Sequence, residues 1–208
     1  MIQLYEFALS GNCHKVRLML SLLGIPYQSI AVNGAEREHK SPEFLAKNPL
    51  GQVPVLVDGD VVLRDSQAIL VYLARQYGAT QADFWLPSDP AGQAQVQAWL
   101  ATAANEVTRG PNALRLFHKW GRNVTVAEAE TITAQLMAVL ETTLSQQPWL
   151  AAPQITIADI ALYPYIALSI EGKVPLEQYP AVCQWLARIE AQPGFVTMPG
   201  IELQSRAD

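Results

Sequence analysis

The chain has no run of like charge, no low-complexity segment, no internal repeat and only two cysteines among 208 residues. Each absence excludes something. Cys13 and Cys183 stand far apart and without metal-ligand spacing, so neither a disulfide framework nor a metal site is indicated. A reducing, cytoplasmic setting is expected. The longest apolar stretches are too short to cross a bilayer. The opening residues MIQLYEFALSG carry Glu6 rather than a basic leader, which argues against a signal peptide and for a soluble protein without a membrane partner. A formal net charge of −5, with no basic cluster, argues against nucleic acid as a partner. Hydrophobic residues make up 50% and charged ones 16%, which fits an ordered chain with a sizeable core.

The pattern that is present changes along the chain. The segment IQLYEF has the length and the β-formers of a strand. Beyond a polar corner, Ser10-Gly11-Asn12-Cys13-His14-Lys15, the residues Val16, Met19, Leu20 and Leu23 fall at helical spacing until Gly24 and Pro26 stop them. YQSIAV reads as a second strand, parallel to the first because a helix connects them. Ser41-Pro42 opens a short helix as cap and first residue. VPVLVDGDVVL reads as a hairpin joined at Asp58-Gly59. RDSQAILVYLARQYG then reads as a helix capped by Asp65 or Ser66. The order βαβ, short helix, ββα describes an α/β thioredoxin-like domain over residues 1–78, with helices on both faces of a small mixed sheet.

Residues 79–90, rich in turn formers, read as a linker, and residues 91–208 as an all-α helical domain. Asp89-Pro90 starts a helix with Val96, Trp99, Leu100 and Ala103 on one face. Thr125…Glu128 and Thr156…Asp159 each have the spacing of a capping box. Ile132, Leu136, Val139 and Leu140 follow the first box on one stripe. Tyr179-Pro180 precedes a last helix with Val182, Trp185, Leu186 and Ile189 facing inward. His118 and the tryptophans read as structural.

A strand–serine–helix corner SGNCHKVRL, then NPLGQVPVL, DSQAIL and TIADI in that order, resembles the cytosolic glutathione transferases along essentially the whole chain. The corner looks like bacterial serine-type members near the theta, zeta and nu-like groups. The resemblance implies attack by a glutathione thiolate on a small hydrophobic electrophile, with glutathione as co-substrate, no metal, and a homodimer. A free thiol with a pKa near 8.5 is mostly protonated at pH 7, so the enzyme must favour the anion.

Read through that resemblance, Ser10 is the hydroxyl donor to the sulfur, and Asn12 is the alternative donor. Without it, Ser10 reads as a plain helix cap. Cys13 lies three residues past the position that carries cysteine in the omega and beta classes, and is expected to face inward. Tyr5 lies near where tyrosine-dependent classes carry their hydroxyl, and is expected to pack beside the strand. The Val53–Pro54 bond is implied to be cis, turning the Val53 backbone toward the cysteinyl backbone of glutathione. Asp65 is matched to the α-ammonium of the γ-glutamyl group and Ser66 to its carboxylate, at a helix start whose free N–H groups suit an anion. Lys40 and Gln52, ahead of His39, are placed at the glycine carboxylate. Arg109, Asn112, Arg115 and Phe117 are candidates for the electrophile pocket. Two rivals share the fold. One is a glutathione-dependent isomerase, dehalogenase or thiol transferase, although SGNC differs from the SSCS-type corner of the zeta isomerases. The other is a non-catalytic regulatory binding protein, which would be expected to lose Ser10 and the Asp65-Ser66 pair.

Overall fold

The computed structural model describes residues 1–203. Strand β1 (Ile2–Glu6) buries Ile2, Leu4 and Glu6 alternately, because successive side chains point to opposite faces of the sheet and one face is the more deeply covered. It runs parallel to β2 (Tyr27–Ala31) and antiparallel to β3 (Val55–Asp58), which pairs with β4 (Val61–Arg64). The sheet order is β2-β1-β3-β4. Asp58 still pairs with Val61, so the hairpin turns on Gly59-Asp60 rather than on Asp58-Gly59. Gly59 takes φ +58°, the left-handed conformation such a two-residue turn requires.

Helices α1 (Gly11–Leu22) and α3 (Ser66–Tyr77) cover one face of the sheet, where Leu4, Val16, Leu20, Leu56, Ile69 and Leu73 are buried together. Helix α2 (Pro42–Lys47) covers the other, with Phe44 against Val32 and Val55. Ser41 caps α2 through its hydroxyl, as its sequence predicts. The expected thioredoxin-like arrangement is present. The segment read as a linker is itself helical in part, with a 3₁₀ turn at Ala79–Gln81 and a short helix α4 (Ala82–Trp85). Trp85 and Leu86 hold it against the core.

The remainder is helical. It contains α5 (Pro90–Ala104), α6 (Glu106–Arg109), α7 (Pro111–Trp120), α8 (Val126–Gln146), α9 (Ile157–Ala167) and α10 (Pro180–Glu190). All eleven residues of α9 are buried, so it has no polar face to spare and packs against α1, α3, α5 and α10 at once. The Thr156–Asp159 capping box forms at its start. The Thr125–Glu128 box does not form. Glu128 is drawn instead into an ion pair with Arg109. On α8 the buried stripe runs through Ala129, Thr133, Leu136, Met137 and Leu140, leaving Ile132 half-buried and Val139 exposed. Trp185 is fully buried, whereas Trp99 is only half-buried and lines a groove between α5 and α8.

Candidate active site

The corner between β1 and α1 is held from both sides. Glu6, 5% exposed at the end of β1, accepts the Ser29 hydroxyl at 2.6 Å and is ion-paired with Arg17 of α1. Arg17 also donates to the Ala8 carbonyl at 3.0 Å. The chain therefore reverses tightly, with the Ser10 N–H on the Phe7 carbonyl at 3.1 Å. Ser10 has extended backbone angles, and its Oγ accepts the Cys13 N–H at 3.3 Å. A hydroxyl that accepts one bond still has its own proton to give. The cap and the donor are therefore compatible in one side chain.

Across from the corner, Asp65 stands at the start of α3 with φ +72° and ψ 125°. Such a conformation costs a non-glycine residue about 1–3 kcal/mol and persists only where its surroundings hold it. One carboxylate oxygen, Oδ1, accepts the N–H groups of Gln67 and Ala68 at 2.9 and 3.1 Å. The other faces no donor within α3's first turn. Ser66 is buried, and its hydroxyl lies 2.8 Å from Gln67 Oε1 and 3.4 Å from Asn12 Oδ1. The last contact joins the two helix starts. The Val53–Pro54 bond is cis.

These pieces meet in one cleft of about 70 Å³, lined by Asn12, Gln52, Val53, Pro54, Asp65 and Ser66 together with Asn48, Leu50 and Arg64. Six of the eight residues singled out from sequence share it, and Ser10 stands two residues before Asn12, at the cap of α1. Lys40 does not line it. Its ammonium donates to the Leu50 and Gly51 carbonyls at 3.0 and 2.8 Å, bracing the loop that presents Gln52. Asn48 shapes the same loop, donating to the Gln52 carbonyl at 2.7 Å and accepting from the Leu50 N–H at 3.1 Å. Gly51 must be glycine: its φ is +57°, and a β-carbon there would sit 2.6 Å from the His39 carbonyl oxygen. His39 stacks edge-on against Phe7. Arg64, which sequence reading passed over, brings a cation to the cleft from the last position of β4.

Other candidates lie elsewhere. Tyr5 packs its ring against Phe44 and under the Lys47 ammonium, on the α2 side of the sheet. Arg109 faces the α5–α8 groove beside Glu128 rather than the corner. Phe117 is 38% exposed and stacked on His118. Asn112 is half-buried in the first turn of α7. Arg115 is 2% exposed, so it underlies the corner instead of lining an open pocket. Cys13 is fully buried, and burial pushes its thiol up to about 11, the opposite of what a nucleophilic thiol needs. Cys13→Ala is expected to leave turnover within about twofold of the parent, as deletion of an inert buried thiol should. A mixed disulfide between Cys13 and glutathione, seen by mass spectrometry with loss of activity, would contradict this.

Among the described residues no cluster of His, Cys, Asp and Glu could hold a metal ion, and no helix is long and apolar enough to cross a membrane.

The glutathione S-transferase N-terminal domain family matches residues 4–81 and the C-terminal domain family residues 114–193. Glutathione S-transferase 3 of Zea mays is 33% identical, covering 93% of this chain and 91% of its own. Human glutathione S-transferase theta-1 is 32% identical over 93% of this chain and 84% of its own. A crystal structure of a glutathione S-transferase from Xanthobacter autotrophicus superposes with a TM-score of 0.87 at 32% identity, covering 96% of this chain and 98% of that one. A Drosophila mojavensis homologue, solved with glutathione bound, superposes at 0.83 with 30% identity over 92% and 88% of the two chains. The chain belongs to the glutathione S-transferase family.

Proposed function

We propose that this protein is a glutathione transferase that holds the glutathione thiol as a thiolate at the β1–α1 corner for attack on a small hydrophobic electrophile. One observation carries the reading: a single cleft beside Ser10 gathers a cis-proline edge, the Asp65-Ser66 helix start and Asn12. In this reading the Val53 backbone pairs with the cysteinyl backbone. The free oxygen of Asp65 takes the α-ammonium, and Ser66 the γ-glutamyl carboxylate. Gln52 reaches the glycine carboxylate, and Lys40 acts there by holding the loop. The Drosophila homologue with bound glutathione supports placing that ligand on this fold.

The energetics suffice without a metal. Lowering a thiol pKa by about two units requires roughly 2.7 kcal/mol of preference for the anion. A hydroxyl donating to a charged group contributes about 1.5–3 kcal/mol, and a helix amino end about 0.3–2 more. Asn12 is the alternative donor from the same turn.

Calorimetry and thermal melts with glutathione test the reading. At a hundred times its dissociation constant, glutathione should stabilise the fold by about 2.7 kcal/mol. Asp65→Ala and Ser66→Ala should raise the glutathione KM about tenfold each while leaving kcat closer to the parent value. They grip the ligand equally in ground and transition states. No heat and no thermal shift at millimolar glutathione would remove the transferase reading and its enzymatic rivals together.

A homodimer belongs to the same proposal. An apolar groove of about 860 Å³ opens between α5 and α8, lined by Trp99, Ile132, Leu136 and Val139, with Val139 53% exposed. Leu50, Val61 and Val62 are exposed on the first half of the chain and are of the size and chemistry to fill it from a second copy. Sedimentation should give twice the chain mass, and Val139→Glu should halve it. A parent protein that sediments as a monomer at micromolar concentration would refute the dimer.

A further inference from the structure

The Leu9–Ser10 peptide is planar, so its C=O and N–H turn together. Both groups are held. The Ser10 N–H donates to the Phe7 carbonyl at 3.1 Å, and the Leu9 carbonyl accepts Arg115 Nη1 at 3.2 Å. With the plane fixed and φ of Ser10 at −84°, the direction of the serine Cα–Cβ bond is fixed as well. The Phe7 contact is local to the corner. The arginine comes from α7, 106 residues further along the chain.

Arg115 is itself aimed. It is buried, and its Nε donates to Glu171 Oε2 at 2.5 Å, in the 3₁₀ turn Leu168–Gly172 that follows α9. The turn lies so close to α7 that a β-carbon on Gly172 would sit 3.0 Å from the Arg115 backbone nitrogen and from Leu114 Cβ. The guanidinium also lies over the Trp120 ring, with Cζ 4.7 Å from its centroid. Guanidinium donors form a rigid fork, so a bond at Nε sets the direction of the N–H at Nη1. The Glu171 carboxylate pairs with Lys119 too, so it keeps a cation when the arginine is removed. On the other side of Ser10, a β-carbon on Gly11 would lie 2.7 Å from the Tyr165 ring of α9. The helical half of the chain thus fixes both neighbours of the serine, although Arg115 does not line the cleft.

We propose that Arg115 is a positioning residue for the thiolate donor: its guanidinium, aimed by Glu171, pins the Leu9 carbonyl and so holds the Ser10 hydroxyl toward the glutathione sulfur. This rests on the reading of Ser10 as that donor. A small displacement of a group that acts on a reacting atom costs much of its effect, which is why a bond one peptide away matters.

The test measures the pKa of bound glutathione from the ultraviolet absorbance of its thiolate, with a thermal melt of each variant. Arg115→Met should raise that pKa by about half to one unit, leaving roughly three- to tenfold less thiolate near pH 7, with the glutathione KM within about twofold. Arg115→Lys keeps the charge but has one point of contact, which the Glu171 carboxylate takes in preference to a neutral carbonyl, so its shift should equal that of methionine. Glu171→Gln gives a test of sign. Removing a negative charge would by itself move the pKa down, whereas loss of aim should move it up by about 0.3 unit, about twofold in thiolate. In the Ser10→Ala background Arg115→Met should add nothing, because its effect passes through the serine. A residue that only holds the fold together would lower the melting temperature and leave the pKa unmoved. The inference falls, and the reading of Ser10 stands, if Arg115→Met leaves the pKa at the parent value, if its shift adds to that of Ser10→Ala, or if Arg115→Lys keeps the parent pKa. A downward or absent shift in Glu171→Gln overturns it equally, and decides the matter should neither arginine variant fold. If Ser10→Ala itself has no effect, both fall.

Discussion

Ser10→Ala is expected to raise the pKa of bound glutathione by about one to two units and to cut turnover near pH 7 by roughly ten- to a hundredfold. Activity should partly recover at high pH, where the thiol ionises unaided. Glutathione affinity should change little, because in the proposed reading the tripeptide's ends are gripped by other residues. The same substitution removes the bond from the Cys13 N–H to Ser10 Oγ. A lost cap costs about 1 kcal/mol, which for a chain of this size lowers Tm by about 2–4 °C. Ser10→Gly separates the two roles, since glycine in a cap position costs only a few tenths of a kcal/mol. Both variants should lose the same activity while only alanine loses the stability. Asn12→Ala supplies the contrast: a pKa shift there, with none in Ser10→Ala, would make the amide the donor and the serine only a cap.

The parts of this molecule that were legible in the sequence are those whose cause is local. Ser41-Pro42, Asp65-Ser66 and Thr156…Asp159 mark helix starts because their side chains satisfy N–H groups two or three residues away, and all three do so in the structure. The glutathione-family corner and the cis proline were legible through resemblance. What could not be read depends on segments that meet only after folding. Tyr165 sits in the run IALYPYIAL, where every residue is apolar enough to pass as core. Its place against Gly11 follows from the packing of α9 on α1. Arg64 enters the cleft from the end of β4, where it pairs across from Val55, a position fixed by the hairpin register and not by its own neighbours.

The misplacements have equally concrete reasons. Arg109 was a candidate for the electrophile pocket by its place early in the helical half of the chain. The backbone breaks at Asn105 and again at Gly110, and each break resets the helical phase. Thr125 and Glu128 have capping-box spacing, but Arg109 offers the glutamate a charged partner, and the cap is not made. Lys40 stands outside the cleft because its ammonium is held by the Leu50 and Gly51 carbonyls, a loop contact that no sequence spacing shows.

Asp159→Ala should be the most damaging single change to the fold. The carboxylate is wholly buried and accepts four bonds: from the N–H of Leu150 at 3.0 Å, the N–H and hydroxyl of Thr156 at 2.8 and 3.2 Å, and the Trp185 indole at 2.9 Å. It therefore joins the loop before α9, the start of α9 and the middle of α10 at one point. Truncation strands three N–H donors in the interior, each costing about 1–3 kcal/mol when left unpaired. A loss of about 4 kcal/mol or more follows, against the 5–15 kcal/mol by which proteins are typically stable. Because α9 also backs the β1–α1 corner, glutathione binding should fail along with the fold. Asp159→Asn keeps one acceptor but turns an amide donor toward part of the N–H cluster, so an intermediate loss is expected. Burial raises the pKa of Asp159 in the folded chain, despite the four donors that pull it down. Folding thus takes up a proton at this site, so stability falls as pH rises from the unfolded value, about 3.9, through the folded one. Asp159→Asn should remove that slope. Urea titrations across the acid range read the stability effects, and in thermal melts an alanine variant whose Tm at neutral pH lies within about 3 °C of the parent would show that the buried carboxylate is not the joint proposed here.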